Sequence, residues 1–358
     1  MAALGRSERI VLGVIALFTL LAGVAHYGGW PSGLAFALAT FALAGLAHVV
    51  GLGTEQVGRR FGPAVTGVLQ STLGNLPELF VVIFALHDGE TVVAQTSIIG
   101  SLFANALLVL GIVIVVGARA APDGVMRFRS KLPMDTSTLL LLTSFIIVLV
   151  GLAHAAHDPA SRHVREISSI GAVALLLVYI AWVVPYLRSD ARSEPQAGEE
   201  EEHHGPPMPM GLAVTLLVLG GAGSAFVSDW FVAALRPTID ALNVSDAFAG
   251  IVVVAIAGNA VENFAGILLA AKGKSDLAIS VVKNSVAQVA AFLYPLLVLV
   301  SLLFTHQLTF ALAPVYIGAL LLTSLAVWQI TGDGEAVAFE GWALVAIYAI
   351  LAALTLYE

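Results

Sequence analysis

The chain has no cysteine, and only 11% of its 358 residues are charged. The first absence removes disulfides, thiolate metal ligands and thiol nucleophiles together. The second sets the chain apart from soluble domains, in which about a quarter of residues are charged. Two catalytic signatures are missing as well: no His-Glu-x-x-His and no Gly-x-Ser-x-Gly occurs. No histidine falls near the middle of an apolar run, so a metal-dependent intramembrane hydrolase is a distant alternative and no enzyme activity is expected.

What is present is hydrophobicity, at 59% of residues. A helix rises about 1.5 Å per residue, and the hydrocarbon core of a bilayer is about 30 Å thick, so about 20 apolar residues span it. Runs of that length lie near 10–28, 33–53, 64–86, 92–117, 134–153, 167–187, 210–232, 247–271, 276–304, 308–330 and 338–357. The first, Arg9 to His26, has basic residues before an apolar run, as a signal peptide would. With ten more runs behind it, a first membrane helix is the better reading. The fold class expected is an all-α integral membrane protein of eleven transmembrane helices. Twelve of the sixteen basic residues fall in segments on the N-terminal side of the membrane, and only Arg162, Arg165 and Arg236 fall opposite. Positive residues stay inside, which places the N-terminus in the cytoplasm and the C-terminus outside. The net charge of −8 owes much to Glu199, Glu200, Glu201 and Glu202, which lie in the one clearly non-membrane stretch, 189–208.

That stretch divides the chain into 31–188 and 209–358, five helices each after the first. An odd number per half turns the second copy over, giving an inverted repeat. The repeat carries its own marker. Gly74-Asn75-Leu76-Pro77-Glu78 and Gly258-Asn259-Ala260-Val261-Glu262 sit 184 positions apart (262 − 78), each in the middle of an apolar run. An ionised side chain at bilayer centre costs roughly 2.5–3.5 kcal/mol on insertion scales, and such residues mark ion pathways. Inversion brings both motifs to mid-depth, facing one another.

Asn75 and Glu78 are three apart and share a helix face, which Ser71 extends by one turn; Asn259 and Glu262 repeat the pattern. Pro77 has no N–H to give, so the Leu73 carbonyl keeps a free oxygen beside the carboxylate. The following helices add Ser101 and Asn105, then Ser285 and Gln288; Asn105 and Gln288 are 183 apart (288 − 105). Asn105 and Gln288 also suit interhelical hydrogen bonding without ion contact. The set offers carboxylate, amide, hydroxyl and backbone oxygens, which suits a hard cation such as Ca²⁺ with its roughly 6–8 oxygen ligands. Two facing carboxylates repel, so an empty site should hold at least one proton. Either one divalent ion or two protons neutralise the pair, and competition between them gives antiport. A Na⁺ or K⁺/H⁺ antiporter is the closest alternative, because a monovalent ion needs only one ionised glutamate. A channel fits an inverted repeat of paired carboxylates less well.

The doubled Gly-Asn-x-x-Glu, the Ser-x-x-x-Asn and Ser-x-x-Gln helices that follow, and the acidic linker between five-helix halves resemble the Ca²⁺/H⁺ antiporter (cation exchanger) branch of the calcium/cation antiporter superfamily. The resemblance covers essentially the whole chain. It implies that Glu78 and Glu262 bind the metal and carry the protons, with Asn75 and Asn259 assisting. It further implies that Ser101, Asn105, Ser285 and Gln288 line the path, and that residues 1–30 form a peripheral helix. No cofactor is expected beyond the transported Ca²⁺ and H⁺. The expected partners are those ions and the lipid bilayer of a prokaryotic plasma membrane, with no nucleic acid. Two positions depart from the pattern: Asn263, where many members have histidine, and Lys283-Asn284-Ser285, where many have Gly-Ser. Lys283 lies about 200° around the helix from Ser285, so it should point away from the site, with its stem reaching the inner interface.

Lesser candidates are Glu55 with Thr54 and Asp229 with Ser228 as vestibule residues. His154, His157 and Asp158 have a spacing a metal could use, but they sit at a helix end and read better as a solvated cap. Glu199 to Glu202 with His203 and His204 read as a solvated run, or as a cytoplasmic Ca²⁺- or pH-sensing element.

Overall fold

The computed structural model describes residues 5–61, 73–190 and 208–358; the side chains at 58–61, 186–190 and 260–262 are outside that description. The helices are α1 Arg6–Tyr27, α2 Ser32–Phe61, α3 Leu76–His87, α4 Thr91–Ala120, α5 Lys131–Ala155, α6 Val164–Asp190, α7 Met210–Leu242, α8 Asp246–Gly258, α9 Ala260–Ala271, α10 Ser275–Ser301, α11 Pro314–Thr331 and α12 Ala338–Leu356. Among the described residues nine helices are long and apolar enough to cross a membrane, and ten if α8 and α9, bent by 59° at their junction, make one span. The remaining span expected, 64–86, falls partly on residues outside the description, and α3 is the part described.

Most boundaries agree with the apolar runs to within a turn or so. Helices α2 and α7 run on past their apolar runs, to Phe61 rather than 53 and to Leu242 rather than 232, and the tenth run starts late. It was expected from 308, but α11 starts at Pro314, a residue suited to a first helical position. The segment before it is held in irregular form by side chains: Ser301 Oγ accepts from Leu308 N at 2.9 Å, and Ser168 Oγ accepts from Phe310 N at 3.1 Å. Irregular backbone at that depth is stable because its polar groups find these hydroxyls.

The chain divides into two compact units, Met1–Phe84 with Ile180–Leu242, and Ala85–Tyr179 with Asn243–Glu358. Each draws helices from both sides of 189–208. In the first unit α2 packs along α7, with α1 against α2. Small residues permit the approach: a side chain on Gly53 would meet Leu217 and the Ala213 carbonyl. Ser228 of α7 donates to the Pro77 carbonyl at 3.4 Å, beside Glu78 in sequence.

In the second unit α4 is the central element, with 89% of its apolar window buried; for the lipid-exposed α1 of the first unit the figure is 17%. Helix α4 crosses α8 closely. A Cβ on Gly100 would stand 2.5 Å from the Ile251 Cα, and one on Gly250 only 2.0 Å from the Thr96 Oγ1. Segments Ala104–Val109 of α4, Ala249–Val254 of α8 and Val289–Leu293 of α10 are wound as π-helix. Such segments take in one extra residue per helix and cluster at functional sites.

An antiparallel ribbon interrupts the all-helical plan: β1 Val125–Arg127 pairs with β2 Glu335–Val337. It joins the α4–α5 loop to the α11–α12 loop. The Arg127 guanidinium donates to Asp123 at 2.6 Å and holds its carboxyl below the usual carboxylate range. Being exposed, this pair adds little to stability.

Candidate cation site

Both motifs fall on breaks in helix. Leu73 is helical, Gly74 and Asn75 form a turn, and α3 starts at Leu76. In the second half α8 ends at Gly258, Asn259 leaves helical geometry (φ −99°, ψ 7°), and α9 starts at Ala260. Each glutamate is therefore the third residue of a new helix, in the turn whose unpaired N–H groups favour negative charge. Discontinuous helices of this kind build the ion sites of secondary transporters.

Glu78 is half-buried at the start of α3, and Asn75 beside it is buried. Glu262 is placed by its backbone in the first turn of α9; its side chain, and Ser71 altogether, lie outside the described residues. Leu73 is half-buried at the last helical position before the break.

The second motif is wired into a buried amide and hydroxyl network. Asn259 Nδ2 donates to Ser101 Oγ and to the Ala255 carbonyl, each at 3.0 Å. Its Oδ1 accepts from Asn105 Nδ2 at 2.9 Å, and the same Nδ2 donates to Ser285 Oγ at 3.0 Å. Four residues from α4, the α8–α9 break and α10 are thus tied together, each of them nearly inaccessible. Donor accounting shows what the network leaves over. Both Asn105 amide hydrogens are used, and among the described residues nothing donates to its Oδ1. The amides hold one another by their N–H groups and leave an oxygen over, the polarity a cation needs. Gln288 ends the α-helical part of α10 and is half-buried.

Removing one partner strands buried polar groups, at about 1–3 kcal/mol each. Asn105→Ala and Asn259→Ala should each lower the unfolding temperature in detergent. Because they share a bond, the double variant should lose less than the sum, with a coupling of about 1 kcal/mol. Additive losses would mean that the two amides act independently.

The other candidates separate. Thr54 and Ser228 are buried, Glu55 is exposed and Asp229 half-buried, all in the first unit. Asp158 accepts from Ala160 N at 2.9 Å, as a helix cap does, and no three-residue metal group occurs among the described residues. Glu199 to His204 lie outside the description.

Lys283 requires a correction. It does point away from Ser285, but it does not reach the interface. Its side chain is 1% exposed, and Nζ donates to Ser137 Oγ of α5 at 2.8 Å and Thr331 Oγ1 of α11 at 3.3 Å. Two turns into α10, the stem meets packed helices rather than water, and two hydroxyls replace the solvation it was expected to find. Hydropathy at residue 283 could not reveal those partners, which lie 146 and 48 positions away in the chain.

Sequence reasoning also missed a cavity of about 350 Å³ within the second unit. It is lined by the first turns of α4, α8 and α11, with Gln95, Thr96, Asp246, Tyr316 and Glu358 among its walls. The Tyr316 hydroxyl donates to Glu358. All of these sit at or near helix ends.

Nine membrane-length apolar helices among the described residues, broken helices bearing acids and buried polar networks define a multi-pass membrane carrier. Residues 31–186 and 212–357 match the family described as sodium/calcium exchanger protein, and the chain belongs to that family. A Ca²⁺/H⁺ antiporter of Synechocystis is 30% identical over 355 residues, 95% of each chain. The Ca²⁺/H⁺ antiporter ChaA of Bacillus subtilis is 28% identical, over 96% of this chain and 98% of that one. The solved structure of native YfkE superposes with a TM-score of 0.81 at 26% identity, covering 97% of this chain and all of that one. The resemblance to Ca²⁺/H⁺ antiporters is thereby borne out.

Proposed function

We propose that the protein is a secondary active antiporter that exports cytosolic Ca²⁺ in exchange for protons. In this reading Glu78 and Glu262 carry the cation and the protons by alternating access. Asn75 and Asn259 assist, and Ser71, the Leu73 carbonyl, Ser101, Asn105, Ser285 and Gln288 line the path. The observation that carries the reading is the matched pair of helix breaks, each placing a glutamate three residues into a new helix.

The inverted repeat, 31–188 and 209–358 with 1–30 peripheral and 189–208 as cytoplasmic linker, draws support from the spacing of the elements. Helices α3 and α9 start and end 184 positions apart (260 − 76 and 271 − 87), and α4 and α10 start 184 apart (275 − 91). The turns between them contain Gly89 and Gly273, also 184 apart, with φ of +85° and +73° that only glycine adopts freely. One turn reads Asp88-Gly89-Glu90, the other Lys272-Gly273-Lys274. Opposite charge on equivalent turns is what a repeat turned over in the membrane requires, the basic copy inside. The family match in two segments fits the same division. The ribbon pairs two loops that this topology puts on one side, which supports the eleven-span count; in this reading the N-terminus is inside, the C-terminus outside, and the membrane a prokaryotic plasma membrane. The outer cavity is then a vestibule through which the cation leaves.

The names of the relatives favour Ca²⁺ over Na⁺ or K⁺, and a transporter over a catalyst. In the monovalent alternative Lys283 could supply a balancing charge at the site, but its amino group is engaged elsewhere. The test is cation-induced proton movement in everted vesicles, scanned over Ca²⁺, Mn²⁺, Na⁺ and K⁺. A response to Na⁺ or K⁺ alone would overturn the assignment. If protons and Ca²⁺ share the carboxylates, the apparent Ca²⁺ affinity should fall steadily as pH is lowered. A Ca²⁺ affinity independent of pH between about 6 and 8 would separate the two ligands.

A further inference from the structure

The Lys283 amino group is held by oxygens alone, as a free metal ion would be held. Its ammonium is fully buried, and among the described residues it is bound only by neutral oxygens, with no carboxylate in ion-pair range. Burying a charge without an ionic partner is expensive unless its surroundings replace the lost solvation. The surroundings nonetheless favour positive charge. Thr331 is the last residue of α11, where unpaired carbonyls give the helix end a partial negative charge. The Thr331 hydroxyl hydrogen is spent on the Val327 carbonyl at 2.7 Å, so its oxygen faces Lys283 by lone pairs alone. Two hydroxyl oxygens, a helix C-terminus and a dry enclosure make up a site for a singly charged, hard cation.

We infer that Ser137, Thr331 and the C-terminal end of α11 form a monovalent-cation pocket, and that Lys283 fills it as a tethered ion. The pocket opens between α5, α10 and α11, on the side of α10 away from Ser285. It is therefore separate from the transport site. Its occupant is covalently fixed, so the protein carries the stabilising charge without drawing Na⁺ or K⁺ from solution. Nor can a free monovalent ion enter there and exchange in parallel with the transported cation.

The experiment measures thermal unfolding of the full chain in detergent, without Ca²⁺, for the wild type, Lys283→Ala and Lys283→Met. The wild type should unfold at the same temperature in equal concentrations of sodium, potassium, ammonium or choline chloride. Lys283→Ala empties the pocket and should unfold earlier in choline. Ammonium, sodium or potassium should then raise its unfolding temperature by roughly 2–4 °C. Lys283→Met keeps the pocket filled without charge and should lose stability with no rescue by any salt. The inference is overturned if Lys283→Ala is equally stable in all four salts, if Lys283→Met matches the wild type, or if the wild type itself prefers sodium or potassium. Should Lys283→Ala fail to fold in choline, recovery of folded protein only when it is extracted and purified in ammonium or sodium supports the pocket; failure in every salt counts against it. Because Ca²⁺ is absent throughout, the result stands apart from whether Ca²⁺ is the transported ion.

Discussion

Glu78→Gln and Glu262→Gln are each expected to reduce exchange to background while leaving insertion and folding intact. The amide keeps one oxygen and nearly the same shape. It loses the negative charge that a divalent ion needs and the site on which a proton would return. With one carboxylate left, the site can no longer be neutral in both the cation-loaded and the doubly protonated state. One half of the cycle then carries uncompensated charge through the low-dielectric barrier. The measurement is Ca²⁺-dependent proton movement in everted vesicles, paired with a count of correctly inserted protein. Near-normal exchange in either variant would remove that residue from the mechanism. Glu→Asp at the same positions keeps charge and proton, so partial activity there would show that charge, rather than reach, is the requirement.

The largest stability effect is expected at the crossing of α4 with α8. An added Cβ at Gly100 or Gly250 runs into the backbone of the opposite helix, at 2.5 Å from Ile251 Cα in one case and 2.9 Å from Ser97 N in the other. Backbone cannot rotate aside as a side-chain end can. Gly100→Ala and Gly250→Ala should therefore each cost about 3 kcal/mol or more, seen as a lower unfolding temperature and reduced yield. Gly318, in the interior of α11 with nothing within 4 Å of an added Cβ, is the control. Alanine there should be neutral or stabilising by about 0.5–1 kcal/mol, from helix propensity alone. If all three behave alike, the crossing is looser than the distances imply.

These two experiments address different kinds of information in the chain. The apolar runs and the acidic motifs were readable because each is local. Twenty consecutive apolar residues partition into lipid whatever their neighbours do, and Gly-Asn before a buried acid weakens helix where it stands. The helix breaks at Asn75 and Asn259 follow from that. Pairings between distant residues are not local. That Asn105 reaches both Asn259 and Ser285, or that Lys283 finds Ser137 and Thr331, depends on which faces of α4, α5, α10 and α11 meet. A reading by hydropathy assigned Lys283 to the water interface because that is the commonest way to satisfy an ammonium. Three-residue strands such as Val125–Arg127 carry too little pattern to be seen in advance.

The π segments settle a small discrepancy between the halves. Starts of helices and turn glycines repeat at 184, yet Asn105 and Gln288 are 183 apart. Each π segment amounts to one inserted residue. In α4 the widened stretch begins at Ala104, ahead of Asn105; in α10 it begins at Val289, just past Gln288. In the proposed repeat the first half is one residue longer between those two points, so pairing the halves needs a single gap there and closes it again afterwards. In a regular helix one additional residue would swing everything beyond it by about 100°. Absorbed as a bulge, the same insertion stays confined to a turn. Helices wound in this way can therefore gain or lose a residue without misplacing the acids and amides on either side.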